Sequence, residues 1–181
     1  MTTASDQELV KLTLEGEISA YGELVKRYQE SVFGVCIRIL GNRQDAEDLT
    51  QEAFLRARRK LSLYDPERPF GPWMRVLAAN LCRNTFQGKH PIHYPLLDER
   101  ERPGDEVIRG PERALELSQQ QRRIYRALWQ LPEHHRVAVE LRHFQGLSYQ
   151  EMAEALDLPL NTVRSHLYRG RQKLAQLLEK P

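Results

Sequence analysis

Three groups of side chains in this sequence could do chemistry, and in each the chemistry would be binding. Arg164, Ser165, Tyr168, Arg169, Arg171 and Lys173 lie on one side of a stretch, Leu160 to Ala175, that contains no acid. A planar guanidinium fork donates two parallel hydrogen bonds, which suits phosphates and guanine edges in duplex DNA. A basic face alone also describes an ordinary solvated helix of a bundle. Further upstream, Asn80, Arg83, Asn84 and Gln87 fall on one side of a helical pattern, with Tyr64, Phe70 and Trp73 just before it. Aromatic rings beside amides and a guanidinium can stack unpaired bases and bond their edges. The same rings would serve equally as core. The third group is acidic: Asp45, Asp48 and Glu52 share a helix side, and Arg56, Arg58, Arg59 and Lys60 follow. Acids early and bases late complement a helix dipole, which accounts for Asp45 and Glu47. A stripe continuing to Glu52 also fits a docking face for a basic partner, so both readings stay open.

The elements that must position the first group have clear boundaries. Ser148 with Glu151 three residues on forms a capping box, and Met152, Ala153 and Leu156 give the helix behind it an apolar side. Pro159 cannot continue that helix and disfavours helical geometry at Leu158. A second helix follows, with Asn161 or Thr162 expected as its N-cap. Its apolar stripe is Val163, Leu167, Gly170, Leu174 and Leu177, at spacings of three and four. A short capped helix, a tight turn and an amphipathic helix make a helix-turn-helix, whose second helix enters the DNA major groove.

The other groups need helices as well. Ser5 with Glu8 caps a first helix that carries Leu9, Leu12 and Leu14 and stops near Gly16. A longer helix is expected from Ser19 to Gly41-Asn42, with Tyr21, Leu24, Val25, Tyr28, Val32, Val35, Cys36, Ile39 and Leu40 recurring at helical spacing. A third runs from Gln44 to about Leu61 on Ala46, Leu49, Ala53 and Ala57. Ser62 to Pro69 reads as a loop, and Phe70-Gly71-Pro72-Trp73 enters a fourth helix. From about Ala114 a helix with Ile124, Ala127 and Leu128 leads to Leu131. The fold class is therefore all-α, with two small helical domains, 1–87 and 114–181, joined by a flexible linker, 88–113. That linker holds four of the ten prolines and three of the ten glycines, and fully extended it would span roughly 90 Å.

Composition removes several function classes. A net charge of +2 over 181 residues is no polycation, so nucleic-acid affinity must come from local patches. Cys36 and Cys82 lie in apolar helical patterns without a C-x-x-C motif and read as reduced core residues. No apolar run approaches a membrane span, and the N-terminus lacks a basic-then-apolar signal, so a cytoplasmic protein is expected. No nucleophile, phosphate loop or carboxylate dyad stands out, and no cofactor or catalytic residue is implied. His90, His93, His134, His135 and His143 have no partner cysteine or H-E-x-x-H frame, so no metal site is expected. A helix-turn-helix regulator remains an alternative, but a receiver domain would alternate strands with helices, and residues 1–87 read as helix throughout.

Taken together, the blocks resemble a known family. Gly41-Asn42, Asp45-Ala46-Glu47-Asp48-Leu49, Gln51-Glu52-Ala53-Phe54, Trp73 and Asn80-Leu81-Cys82-Arg83-Asn84 are similar to the second domain of bacterial RNA polymerase sigma factors of the extracytoplasmic-function type. Leu131-Pro132-Glu133, Gly146-Leu147-Ser148-Tyr149, Glu151-Met152-Ala153 and Thr162-Val163-Arg164-Ser165 are similar to their fourth domain. The order and spacing cover nearly the whole chain. The resemblance implies that Asp45, Asp48, Gln51 and Glu52 dock on the clamp helices of the polymerase beta-prime subunit. It implies that the loop with Leu63, Tyr64, Asp65 and Arg68 captures a flipped base of the minus-ten strand, along whose path lie Asn80, Arg83 and Asn84. Arg164, Ser165, Tyr168 and Arg169 would read the duplex minus-thirty-five element. Partners implied are core polymerase, including its beta flap, promoter DNA and an anti-sigma factor or other regulatory protein, with no membrane insertion. His166 departs from a frequent arginine or lysine, and Leu160-Asn161 from a commoner small residue plus glycine.

Overall fold

The computed structural model describes residues 4–88 and 118–179, and the elements in both stretches are helices. In the first stretch they are α1 (Asp6–Leu14), α2 (Ile18–Leu40), α3 (Arg43–Arg59) and α4 (Phe70–Phe86). A short 3-10 turn, Leu61–Leu63, follows α3. In the second they are α5 (Gln119–Trp129), α6 (Glu133–Val139), α7 (Tyr149–Leu156) and α8 (Leu160–Glu179), with a π-helical turn at Glu140–Phe144 after α6. Among the described residues there is no strand.

The caps explain most boundaries. Ser5 closes the expected capping box on α1, accepting from the Glu8 amide at 3.2 Å while its own amide donates to the Glu8 carboxylate at 2.7 Å. Gly41 ends α2 in the left-handed conformation at φ 72°, where a glycine avoids the steric penalty of a Cβ. Asn42 then caps α3 by accepting from the Asp45 amide at 2.9 Å. Two expectations shift. α2 begins at Ile18 and has no side-chain cap, so Ser19 lies inside it. α1 buries Leu9 and Val10, while Leu12 and Leu14 are largely exposed. The helix is only nine residues long and turns a narrow face to α2.

The 23-residue α2 is the axis of the first stretch, about 35 Å long at 1.5 Å per residue. It buries Leu24, Val32, Val35, Ile37 and Ile39 between α1, α3 and α4. An aromatic cluster closes one end: Phe70 is wholly buried between Tyr28, Tyr64 and Trp73, with ring centroids 5.5–5.6 Å away. Cys36 and Cys82 are free, buried thiols on α2 and α4. The expected linker, 88–113, lies outside the described residues from residue 89 onward, as do residues 114–117. The described part of the next helix starts at Gln119 behind Ser118, which forms a second capping box with Gln121.

The two halves do not stand apart. Leu128, Trp129, Leu131, Val137 and Leu141 join the same contiguous core as Ile37, Ile39 and Leu81. The reason lies at the C-terminal end of α2, where the second half supplies donors to the last turn. The Trp129 indole donates at 3.1 Å to the Ile37 carbonyl, which also accepts from the Gly41 amide at 3.0 Å, and the Arg136 guanidinium donates to the Ile39 carbonyl, one of the last that have no partner within the helix.

Gly71 shows how tight the aromatic end is. A Cβ there would lie 2.5 Å from Cε1 of Tyr28. The Tyr28 ring cannot easily withdraw, because its hydroxyl donates to Asp6 and its face meets Phe70. Gly71→Ala is expected to destabilise the protein by about 1–3 kcal/mol, the usual range for overpacking. The check is a lower urea midpoint with an unchanged m value.

Candidate nucleic-acid and polymerase interfaces

The helix-turn-helix is built as its residues require. Ser148 caps α7 with bonds of 3.2 Å from the Glu151 amide and 2.7 Å to its carboxylate. α7 ends at Asp157 in the left-handed conformation, φ 50°, which the short polar side chain of aspartate tolerates. The Leu158 amide returns to the Ala153 carbonyl at 3.0 Å, and Leu158 packs against the core, a Schellman-type stop. The next helix then starts two to three residues earlier than the sequence suggests. The Pro159 carbonyl accepts from the Thr162 and Val163 amides at 2.9 and 3.1 Å, so Asn161 lies inside α8 and does not cap it. Pro159 has no N–H, so the cap position leaves no donor unsatisfied there.

α8 presses Val163, Leu167 and Gly170 against α6, with Leu174 and Leu177 partly buried beyond. The crossing is tight at Gly170, where a Cβ would lie 3.1 Å from Cγ2 of Val139. The opposite face carries Arg164, Tyr168 and Arg169, all exposed, with Ser165 half-buried beside them. Neighbours steady this face: Arg171 Nε donates to His143 Nε2 at 3.0 Å, and the Gln172 amide to the Tyr168 hydroxyl at 2.8 Å.

One feature at this crossing has no signal in the sequence. His134 and His135 of α6 meet His166 of α8, with ring centroids 4.2 Å apart between His134 and His135 and 4.6 Å between His134 and His166. Both ring nitrogens of His135 are buried without a hydrogen-bond partner among the described residues. Burial first, then the charges of His134, His166 and Arg169, holds His135 below the usual histidine value. His166 is lowered by burial and then by His134 and Arg169. Among the described residues no group of three such side chains is arranged to hold a metal ion.

The residues read as strand-contacting fall into two places. In the loop, Leu63 is 82% exposed, and Asp65 and Arg68 are exposed as well. The Asp65 carboxylate accepts from the Glu67 amide at 3.0 Å, which holds the turn. Tyr64, by contrast, is buried against Phe70 and Trp73, and its hydroxyl donates to the Arg68 carbonyl. It staples the loop and offers no free ring face in this structure. Asn80, Arg83 and Asn84 are half-buried on α4. Arg83 donates to the Leu156 carbonyl at the end of α7, and burial lowers its pKa against the opposing charge of Asp157.

The acidic group stays together on α3. Asp48 and Gln51 are exposed, while Asp45 and Glu52 are half-buried at the edges. Burial and then the like charge of Asp48 raise the Asp45 pKa. Glu52 pairs with Arg56 at 2.6 Å and Glu47 with Arg43 at 2.8 Å, each one helical turn on. Leu55, also exposed, extends the face.

Sequence reasoning missed a polar chain between the halves. Arg38 Nε and Nη2 donate to the two oxygens of Glu140, both at 2.8 Å. The Gln145 amide donates to Glu140 at 2.8 Å and accepts from Arg75 Nε at 2.6 Å. Burial alone would lower the Arg38 pKa, but the bonds and charge of Glu140 outweigh it and raise it. The available signal was an acid inside an apolar run, Val137 to Leu141.

Comparison with known proteins places both surfaces in one lineage. The Sigma-70 region 2 family model matches residues 24–90, and that of Sigma-70, region 4 matches residues 115–174. The RNA polymerase sigma-H factor of Pseudomonas aeruginosa is 32% identical over 186 aligned positions, covering 99% of this chain and 96% of that one. The ECF RNA polymerase sigma-E factor of Escherichia coli K12 is 35% identical, covering 94% and 92%. Among solved structures, CnrH in complex with the cytosolic domain of CnrY superposes with a TM-score of 0.63 at 25% identity, over 96% and 97% of the two chains. No helix among the described residues is long and apolar enough to cross a membrane.

The histidines give a pH signature. An unfolded chain takes up protons near the ordinary histidine value of about 6.5. His135, His143 and His166 resist protonation when folded. The unfolded state therefore binds more protons as pH falls below about 6.5, and stability contributed by their neutral forms is lost in that window. The urea midpoint should drop between pH 7.5 and 5.5, and His135→Gln should flatten that drop.

Proposed function

Since this chain belongs to the extracytoplasmic-function sigma factors of bacterial RNA polymerase, we propose how its surfaces divide that family's work. The protein binds core polymerase, directs it to specific promoters and helps open the minus-ten region. The α3 face, with Asp48 and Gln51 exposed and Asp45 and Glu52 half-buried at its edges, docks on the beta-prime clamp helices. Leu63, Asp65 and Arg68 at the loop surface meet the unpaired minus-ten strand, with Asn80, Arg83 and Asn84 along its path. Tyr64 acts there by holding the loop in shape. Arg164, Ser165, Tyr168 and Arg169 read the minus-thirty-five duplex. The domain limits 1–87 and 114–181 follow this division, with 88–113 as the connection. The protein supplies binding and leaves RNA synthesis to the polymerase, beside which it works in the cytoplasm. An anti-sigma factor or other regulatory protein is a further partner; CnrH, which this chain resembles, occurs in complex with the cytosolic domain of CnrY.

The observation that carries the assignment is the pairing of an exposed, acid-free α8 face in one half with an exposed acidic α3 face in the other. A regulator acting on duplex DNA alone would use the first and have no use for the second. Promoter-specific run-off transcription with core polymerase tests the whole reading, and absence of any transcript above core alone would end it.

Two variants test the parts. Asp48→Lys with Glu52→Lys should reduce co-purification with core polymerase while helical circular dichroism stays unchanged, and wild-type yield would remove α3 from the interface. Arg164→Ala and Arg169→Ala should each weaken upstream duplex binding by about 1–3 kcal/mol where the arginine makes a bidentate guanine contact. Where one touches only phosphate, all sequences should weaken alike and the salt dependence should flatten. Unchanged affinity in both would place the recognition surface elsewhere.

A further inference from the structure

A helix in the major groove meets DNA along its flanks as well as its leading face. At about 10–12 Å across, in a groove about 12 Å wide, it lies between two phosphate backbones. Side chains on the flanks then meet phosphates, and those at the front meet bases. On α8, Thr162, His166, Arg169 and Lys173 follow one another at spacings of four, three and four, so they share one flank. It is the flank beside α6, because His134 of α6 lies against His166 with ring centroids 4.6 Å apart. Arg169, Lys173 and His134 are exposed, and His166 is half-buried. The row of cations is therefore interrupted by an imidazole.

That imidazole stands in a place unfavourable to charge. Burial, then the charges of His134 and Arg169, holds His166 below the usual histidine value. Behind it His135 is buried, 5.9 Å from His166 between ring centroids, and neither of its ring nitrogens has a hydrogen-bond partner among the described residues. The titratable and charged groups that face His166 are His134 and His135 from α6 and Arg169 from α8 itself. The helices α5 and α7 also pack on α8, and among the described residues neither sets a carboxylate against this ring. What the group lacks is an anion, and a DNA phosphate on this flank would supply one.

We infer that duplex binding by this protein is coupled to proton uptake: as the phosphate backbone settles against the α6 side of α8, one proton enters from solvent at His166, and the imidazolium pairs with a phosphate beside Arg169. The inference rests on the assignment of α8 to duplex reading. A second proton is disfavoured, because the His134 and His135 rings stand 4.6 and 5.9 Å from the charged one. The complex then holds more protons than its separated parts, so affinity rises as pH falls. The added contact is to the backbone, so it tightens binding without changing which sequence is read.

The test is fluorescence anisotropy of the full chain with a rhodamine-labelled DNA duplex of mixed sequence, with circular dichroism restricting the comparison to folded protein. Affinity should rise about fivefold from pH 7.5 to pH 6.0, the effect of taking up most of one proton. The slope of log affinity against log salt should steepen by about 0.9 over the same interval, the mark of one more neutralised phosphate. His166→Gln should lose both changes. His166→Arg should show at pH 7.5 the salt slope that the wild type reaches only at pH 6.0. Should either variant lose helical signal, the Cε1 proton resonance of His166 in the wild type reads the same event, and its titration midpoint should move up when the duplex is added. Affinity that stays level or falls in acid, a rise kept by both variants, or an unmoved midpoint overturns the coupling and leaves duplex reading by α8 standing. Absence of duplex binding at every pH overturns the assignment of α8, and the coupling with it.

Discussion

Much of this molecule depends on how the carbonyls at the end of α2 are satisfied. A helix leaves its last carbonyls without internal partners, and burying them bare costs about 1–3 kcal/mol each. Here the partners come from far along the chain. Arg136 is the centre of the arrangement: its guanidinium donates to the Ile39 carbonyl, to that of Trp129 at 3.0 Å and to that of Leu131 at 2.9 Å. One buried cation thus serves the C-terminal ends of α2 and α5, where a positive charge also meets the negative pole of each helix. An arginine suits this place because it stays charged and its donors spread in a plane. The orientation of α6 is fixed in consequence, and α8 is laid across α6 at Gly170.

The neighbouring ion pair has a different character. An arginine and a glutamate taken out of water recover in mutual attraction about what they lose in hydration, so such a pair adds little net stability. Losing one partner costs about 3–5 kcal/mol, because the other charge is stranded. The Arg38–Glu140 pair therefore selects one arrangement of the halves over others more than it strengthens either half.

What the sequence made legible was local. Capping boxes at Ser5 and Ser148, the glycine stop at Gly41 and the apolar stripe of α8 all depend on residues within a few positions of each other, and each sits where the spacing put it. The errors were local competitions. Asn161 is a better N-cap by type than Pro159, but the backbone turn through Asp157 brings the Pro159 carbonyl to the amides first. Tyr64 could have stacked on a base or joined the core, and Phe70 and Trp73 provide the core. The histidine group could not be read, and of the Arg38–Glu140 chain the sequence shows only an acid inside the apolar run Val137 to Leu141, since their members lie on helices whose crossing no periodicity encodes. The acids of α3 share one side as their spacing indicates, with Asp48 exposed and Asp45 and Glu52 half-buried.

The Gly41–Trp129 contact has a consequence for how this protein can vary. The left-handed backbone at Gly41 penalises any side chain there whatever surrounds it, while the closeness of the indole penalises it only while the indole is present. The first cost is intrinsic to the position and the second is conditional on another. A smaller residue at 129 would lift only the conditional part, and would also give up the bond to Ile37. In suppressor genetics, then, a lesion at 41 can be relieved from 129 only partially, and the two loci should show epistasis of one sign across nearly a hundred residues of chain.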